Sequence, residues 1–257
     1  MHINRDLINN LIICVMIFSA NIQAKELTIL TEHLAPFQIV DKNEISGIST
    51  EIVEATLKNS SFDYNIEAYP WSLSYNRALH EEDTCIYSIG RIPERELLFN
   101  WVGQIISSTV SMYSLASSTI KISTLNDAKK YKTAVIRDDV THHFLLSKGF
   151  IENKNLYVMD NYDSLLQLLE KPSRNIDLVV LNDDLILHRV KSTEAASKYK
   201  SVYSVQDFTL DFHFACSITT EQHVVAELKK IMKKLEQEGI LPAIRKKWTP
   251  IMFNTLD

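Results

Sequence analysis

The stretch Cys85–Trp101, CIYSIGRIPERELLFNW, decides the fold. It opens with alternating apolar and polar residues, which suits a strand. The chain then breaks at Gly90, crosses Ile92-Pro93, turns charged at Glu94-Arg95-Glu96, and becomes apolar again at Leu97-Leu98-Phe99. A strand running into a Gly/Pro corner and a short helical turn leaves side chains and amide N–H groups at the carboxyl end of a sheet, where open α/β sheets bind ligands. Arg91 and Arg95 stand at this corner. A planar guanidinium grips a carboxylate through two parallel hydrogen bonds. The stretch therefore predicts a site for a small anion.

Toward the N-terminus, Pro70-Trp71 leads into a helix through Ala78 and Leu79 that ends at Glu81-Glu82-Asp83, and Tyr64 to Ala68 alternates as a strand. Before that, Ile48, Ile52, Val53, Ala55 and Leu57 mark a helix. Ser49 or Thr50 is its expected cap, with Glu51 and Glu54 near its start. Glu26 to Val40 reads as strand, loop, strand, broken at Ala35-Pro36. The order β-α-β-α-β predicts a largely parallel sheet with helices on its faces.

Toward the C-terminus, Gly103 to Ser117 is long, uncharged and partly β-branched, as an extended connector to a second lobe would be. A second β/α series follows: a strand at Tyr131–Ile136, a polar turn at Arg137–Thr141, and a helix at His142–Lys148 stopped by Gly149. Leu156–Val158 reads as a strand, and Asn161–Leu169 as a helix with Leu165, Leu166, Leu168 and Leu169 inward. Ile176–Leu181 suits a buried parallel strand. Asn182-Asp183-Asp184 then meets a helix from Leu185. Phe208–Ile218 alternates strongly and forms a second crossing, followed by one long helix to Gly239 and a shorter one to Trp248. Two crossings imply two lobes with a hinged cleft between them: residues 25–109 and 210–257 in the first, 110–209 in the second.

At 257 residues the chain has ample material for a core, and no repeat or low-complexity segment is visible. The apolar run Leu11–Ala20 follows Arg5 and is too short to span a bilayer, which needs roughly 20 apolar residues. With Ala24 behind it, the run reads as a secretory signal cleaved after residue 24. The net charge of −5 argues against nucleic acid, which calls for a basic face. Cys14 lies inside the signal. Cys85 and Cys216 remain, and in an oxidising compartment they either pair or stay as buried core thiols. His142 and His143 are adjacent, so a helix points them about 100° apart; a solvated helix start is the expected reading and a metal site is not. Nothing in the chain requires a cofactor, and no catalytic triad, phosphate loop or nucleotide fingerprint is present.

Six pieces in order resemble the bacterial extracellular solute-binding proteins of family 3. They are Leu34–Phe37, Gly47–Val53, Pro70-Trp71, Ser88–Glu96, Phe99–Gly103, and the ending from Gly239-Ile240 to Lys247-Trp248. The resemblance implies an α/β, two-lobed periplasmic-binding-protein fold of type II that closes on a small solute. By that likeness Arg95 is the clamp for a ligand α-carboxylate, helped by Ser88 and Gly90, and Trp71 is a wall. Asp139 and Thr141 fall in the second lobe's anion loop, and Asn182, with Asp183 beside it, falls where an ammonium is held. The departures are Leu34 in place of an aromatic, two acids in the anion loop, and a neutral Asn182. Arg91 is an additional charge, suited to a second acidic group on the ligand or to the cleft edge.

The function implied is a monomeric periplasmic receptor that captures a carboxylate-bearing solute, an amino acid above all, for the membrane permease of an ABC importer. Its rivals are an enzyme of the same fold, resembling periplasmic dehydratases and using Glu32, His33, Asp139 or Asp183, and a ligand sensor for a membrane kinase.

Overall fold

A computed structural model of the chain describes residues 26–42, 44–192 and 198–253. The predicted export signal, residues 1–24 with Cys14, lies outside them.

The first half alternates strand and helix from β1 (Glu26–Thr31) onward. A hairpin of β2 (Ile39–Asp41) and β3 (Glu44–Ser46) follows, where sequence reading had a single strand. Next come α1 (Ile48–Lys58), β4 (Asp63–Ala68), α2 (Trp71–His80) and β5 (Thr84–Gly90). β1 has parallel partners on both sides, β4 and β5, as the β-α-β-α-β order requires. α1 starts differently from expectation. Gly47 precedes it at φ 113°, and a Cβ there would stand 2.5 Å from the Phe37 carbonyl oxygen, so only glycine fits. Ser49 and Thr50 are buried in the first turn instead of capping it; the Thr50 hydroxyl hydrogen-bonds the Ser46 carbonyl at 3.0 Å and the Tyr87 hydroxyl at 2.9 Å.

A 3-10 turn at Pro93–Arg95 leads into β6 (Phe99–Leu115). The second half then contains α3 (Leu125–Ala128), β7 (Thr133–Ile136), α4 (Val140–Ser147), β8 (Leu156–Met159), α5 (Tyr162–Leu169), β9 (Leu178–Asn182) and α6 (Asp183–Ser192). β7 lies parallel to β8 and β9. β9 is parallel on that edge only, because its other neighbour, β6, runs antiparallel along Val110–Tyr113. All four α5 leucines are buried as expected.

β10 (Tyr199–Ser217) returns antiparallel to β6 from Tyr199↔Leu115 to Ser217↔Phe99. At 17 and 19 residues, these strands far exceed the usual five or six. They serve both halves: β5 joins β10 at Phe212–Cys216, and β9 joins β6 at Val110–Tyr113. The result is an α/β fold of two lobes on one continuous sheet, ordered β4-β1-β5-β10-β6-β9-β7-β8. α7 (Gln222–Gln237) and α8 (Ile240–Phe253), separated at Gly239, pack back on the first lobe against α1, and α7 also covers β6. Cys85 and Cys216 face each other in the β5–β10 register and form a disulfide, so of the two readings left open, the thiols pair.

Candidate functional site

The 3-10 turn after β5 folds Arg95 back beneath the strand end, where it is 1% exposed. Its Nη1 donates to the Gly90 carbonyl at 3.1 Å and its Nη2 to the Asp138 carbonyl at 2.5 Å. Tyr75 and Trp71 place their rings 4.8 and 5.6 Å from the guanidinium carbon, within cation–π range. Trp71 Nε1 donates to the same Asp138 carbonyl at 3.1 Å. Two side chains of the first lobe therefore converge on one backbone oxygen of the second. Asp138 sits at φ 56°, a left-handed conformation that costs about 1–3 kcal/mol outside glycine and tends to mark functional sites. Burial pulls the Arg95 guanidinium below its ordinary value, against opposing effects from Tyr75 and Asp139, and it stays a cation. Its Nε is buried without a partner.

Gly90 permits this approach. A Cβ there would lie 2.2 Å from Val140 Cγ2, at the start of α4. Asp139 caps α4: its Oδ1 accepts from the Thr141 amide at 2.8 Å and hydroxyl at 2.7 Å, and its Oδ2 accepts from the Tyr162 hydroxyl at 3.0 Å. The helix start that the resemblance offered to an anion is thus occupied by the protein's own carboxylate. His142 is buried, contrary to the solvated helix start expected for it. Its Nδ1 accepts from the Asp138 amide at 3.3 Å and its Nε2 faces Glu152 at 2.9 Å, so the ring supports the turn that presents the Asp138 carbonyl.

Beside this contact a cavity of about 440 Å³ opens between the lobes. Glu32, Leu34 and Tyr69 wall it from the first lobe, and Asp160, Tyr162 and Leu185 from the second. Burial, and then the charge of Asp139, push the Glu32 carboxyl well above its ordinary value. The Tyr162 hydroxyl is raised for the same reasons: burial first, then Asp139 and Glu32.

The structure gathers Arg95, Trp71, Gly90, Asp139 and Thr141 at the interlobe contact and puts Leu34 on the cavity wall. Ser88 is buried nearby. It occupies a bulge where the β5–β10 register shifts, at φ 57°, and its hydroxyl donates to Gln38 Oε1 at 2.8 Å. Arg91 is not part of the group: its Nε and Nη2 hold Glu96 at 2.8 and 2.5 Å, and it stacks 5.1 Å from the Trp101 ring. Asn182 and Asp183 lie at the β9–α6 junction against β6, where Asp183 accepts from Thr109 at 2.5 Å and from Tyr113 at 2.6 Å. Sequence reading did not single out Tyr69, Asp160 or Tyr162, and it named Glu32 only as an acid for the enzyme alternative. A usable signal existed, since Glu32 follows β1 and Asp160 follows β8, at the same carboxyl ends of strands that pointed to Arg95.

None of the curated proteins matches the sequence. Several solved structures share its fold. A histidine kinase sensor domain with similarity to periplasmic binding proteins has a TM-score of 0.77 at 16% identity, covering 88% of this chain and 96% of its own. The arginine-, lysine-, histidine-binding protein ArtJ from Geobacillus stearothermophilus has a TM-score of 0.76 at 16% identity, covering 91% and 97%. An ancestral arginine-binding protein bound to arginine has a TM-score of 0.75 at 17% identity, covering 87% and 97%. At these identities the likeness is one of fold. A sequence profile matches residues 27–251, and the chain belongs to the bacterial extracellular solute-binding proteins, family 3.

Proposed function

We propose that this protein is an exported receptor that closes its two lobes around a small carboxylate-bearing solute, an amino acid above all, and presents it to the permease of an ABC importer. The observation that carries the reading is the cavity walled by both lobes beside a buried arginine that spans them. The lobes on this reading divide at residues 109/110 and 209/210, inside the two shared strands β6 and β10. In this reading the signal is removed after Ala24, the mature chain works in the periplasm as a monomer, and it binds without turning its ligand over. The Cys85–Cys216 disulfide supports an oxidising compartment.

Arg95 is the proposed carboxylate clamp. Its Nε is unpartnered and its Nη2 holds only a backbone carbonyl, so one edge of the fork suits a two-oxygen acceptor once Asp138 withdraws. The Asp138 carbonyl thus stands on the group that the solute would take. Ligand contacts made only on closure then shift the hinge equilibrium. Titration calorimetry with Arg95→Met tests the clamp. Methionine preserves the stem between Trp71 and Tyr75, and affinity for a carboxylate ligand should fall at least about a hundredfold, the loss of a charge-assisted pair. Unchanged affinity overturns the assignment.

Sensing is the second reading, favoured by the likeness to a kinase sensor domain. The same closure would then be read by a membrane partner. Deleting the gene and measuring solute uptake separately from solute-induced transcription distinguishes the two.

A further inference from the structure

Among the described residues, the cavity walls contain the carboxyl groups of Glu32 and Asp160 and the imidazoles of His33 and His188, but no lysine or arginine. Asp160 is answered at the surface by Arg137 Nε at 3.0 Å. Glu32 is answered by nothing among the described residues. It is 6% exposed and makes no hydrogen bond, and the charge acting on it is that of another acid, Asp139. A buried carboxyl group without a partner is among the costliest groups a fold can keep. Arg95, the nearby cation that would relieve it, is held by the Gly90 and Asp138 carbonyls and lies outside the cavity wall. A cationic group entering the cavity would give Glu32 the partner it lacks.

We infer that Glu32 receives a cationic group of the bound solute, so that the cleft selects ligands carrying an ammonium or a guanidinium. The inference rests on the reading of the cleft as a solute site and adds the charge of the solute. It also moves the cation-holding role away from the position the resemblance implied, because both Asp183 oxygens already accept from Thr109 and Tyr113 on β6. The remaining wall fits such a ligand. Leu34, Ile39, Val40 and Pro70 offer apolar contact for a methylene stem, and the Tyr69 and Tyr162 rings line the same cavity.

The test is a binding panel on the full mature chain, read by calorimetry and by thermal shift, for wild type and Glu32→Gln. The probes are L-arginine, L-lysine and agmatine as cations, and glutarate and succinate as acids without a cationic group. Agmatine has no carboxylate, so it reports on Glu32 without Arg95; succinate has no cation and reports the converse. The expected result is that at least one cationic probe binds wild type, and that Glu32→Gln weakens it tenfold to a hundredfold, the range of one charge-assisted hydrogen bond. If Gln at 32 impairs folding, Glu32→Asp keeps the charge, draws it back by one methylene, and should weaken cation binding to a smaller extent. Binding of succinate or glutarate with no cationic probe bound would overturn the inference and leave the solute-binding reading intact. Equal affinity of wild type and Glu32→Gln for a cation would do the same. Silence from every probe would overturn both.

Discussion

Replacing Gly90 by alanine should hold the lobes apart without altering either one. The new methyl carbon would lie 2.2 Å from Val140 Cγ2, so one partner must retreat by at least 0.8 Å to reach the 3.0 Å below which such contacts essentially do not occur. Valine in a helix is restricted to one χ1 rotamer, so the start of α4 has to move as a unit. A retreat of roughly 1 Å takes the Asp138 carbonyl out of range of Trp71 Nε1 and to the limit of range of Arg95 Nη2, which it now meets at 3.1 and 2.5 Å. Losing one neutral and one charge-assisted hydrogen bond costs about 2–4 kcal/mol. The open form pays none of this, since its lobes are apart, and the closed population should fall by roughly 30- to 1000-fold. Small-angle scattering should report a larger radius of gyration for Gly90→Ala, and solute affinity should drop because the same methyl carbon obstructs closure around a solute. Superimposable scattering curves with unchanged affinity would refute the assignment of Gly90 as the point of lobe contact. Loss of the strand signal in circular dichroism would place the strain inside β5 instead.

Glu32 makes a prediction in pH. Its carboxyl is raised in the folded state, so above the unfolded value near 4.5 the native state binds the extra proton. Stability from this group is then full below about pH 4.5 and is lost as pH rises toward the folded value, with a slope of up to about 1.4 kcal/mol per pH unit. Urea unfolding of wild type and Glu32→Gln across that window should show the variant gaining on wild type as pH increases; parallel curves would count against a buried, unpartnered Glu32. The disulfide spans a separation of 131 residues and encloses the entire second lobe. The double change Cys85→Ala with Cys216→Ala should cost about 2–5 kcal/mol in the same assay, and a loss below about 1 kcal/mol would show that the β5–β10 pairing holds without it.

How far the sequence could be read depended on the range of the interaction. Apolar spacing is local, and it identified the β/α alternation, the inward leucines of α5 and the long helix ending at Gly239. An uncharged, partly β-branched run marked the first crossing strand and strong alternation marked the second, although the second begins nine residues before the expected Phe208, at Tyr199. The α1 start was misread because Ser49 and Thr50 resemble caps by type. The close approach of Phe37, which demands glycine at 47, is a contact between separate segments. β9 was expected to be parallel throughout, and its antiparallel edge depends on which strand the fold sets beside it.

The sequence by itself therefore determined the two-lobed class, the hinge strands and the importance of the corner after β5, because periodicity and turn chemistry are written into neighbouring residues. Tertiary structure decided the chemistry of the cleft. The corner alone presents Arg91 and Arg95 alike and only the family resemblance set them apart, whereas the fold pairs one with Glu96 and buries the other against Tyr75, reaching across to Asp138. Cys85 finds Cys216 only through strand register, and His142 leaves solvent only because Glu152 and the Asp138 turn close over it. Glu32 acquires its meaning only where the two lobes meet, since the cavity it lines and the charge of Asp139 beside it come from segments far away in the chain.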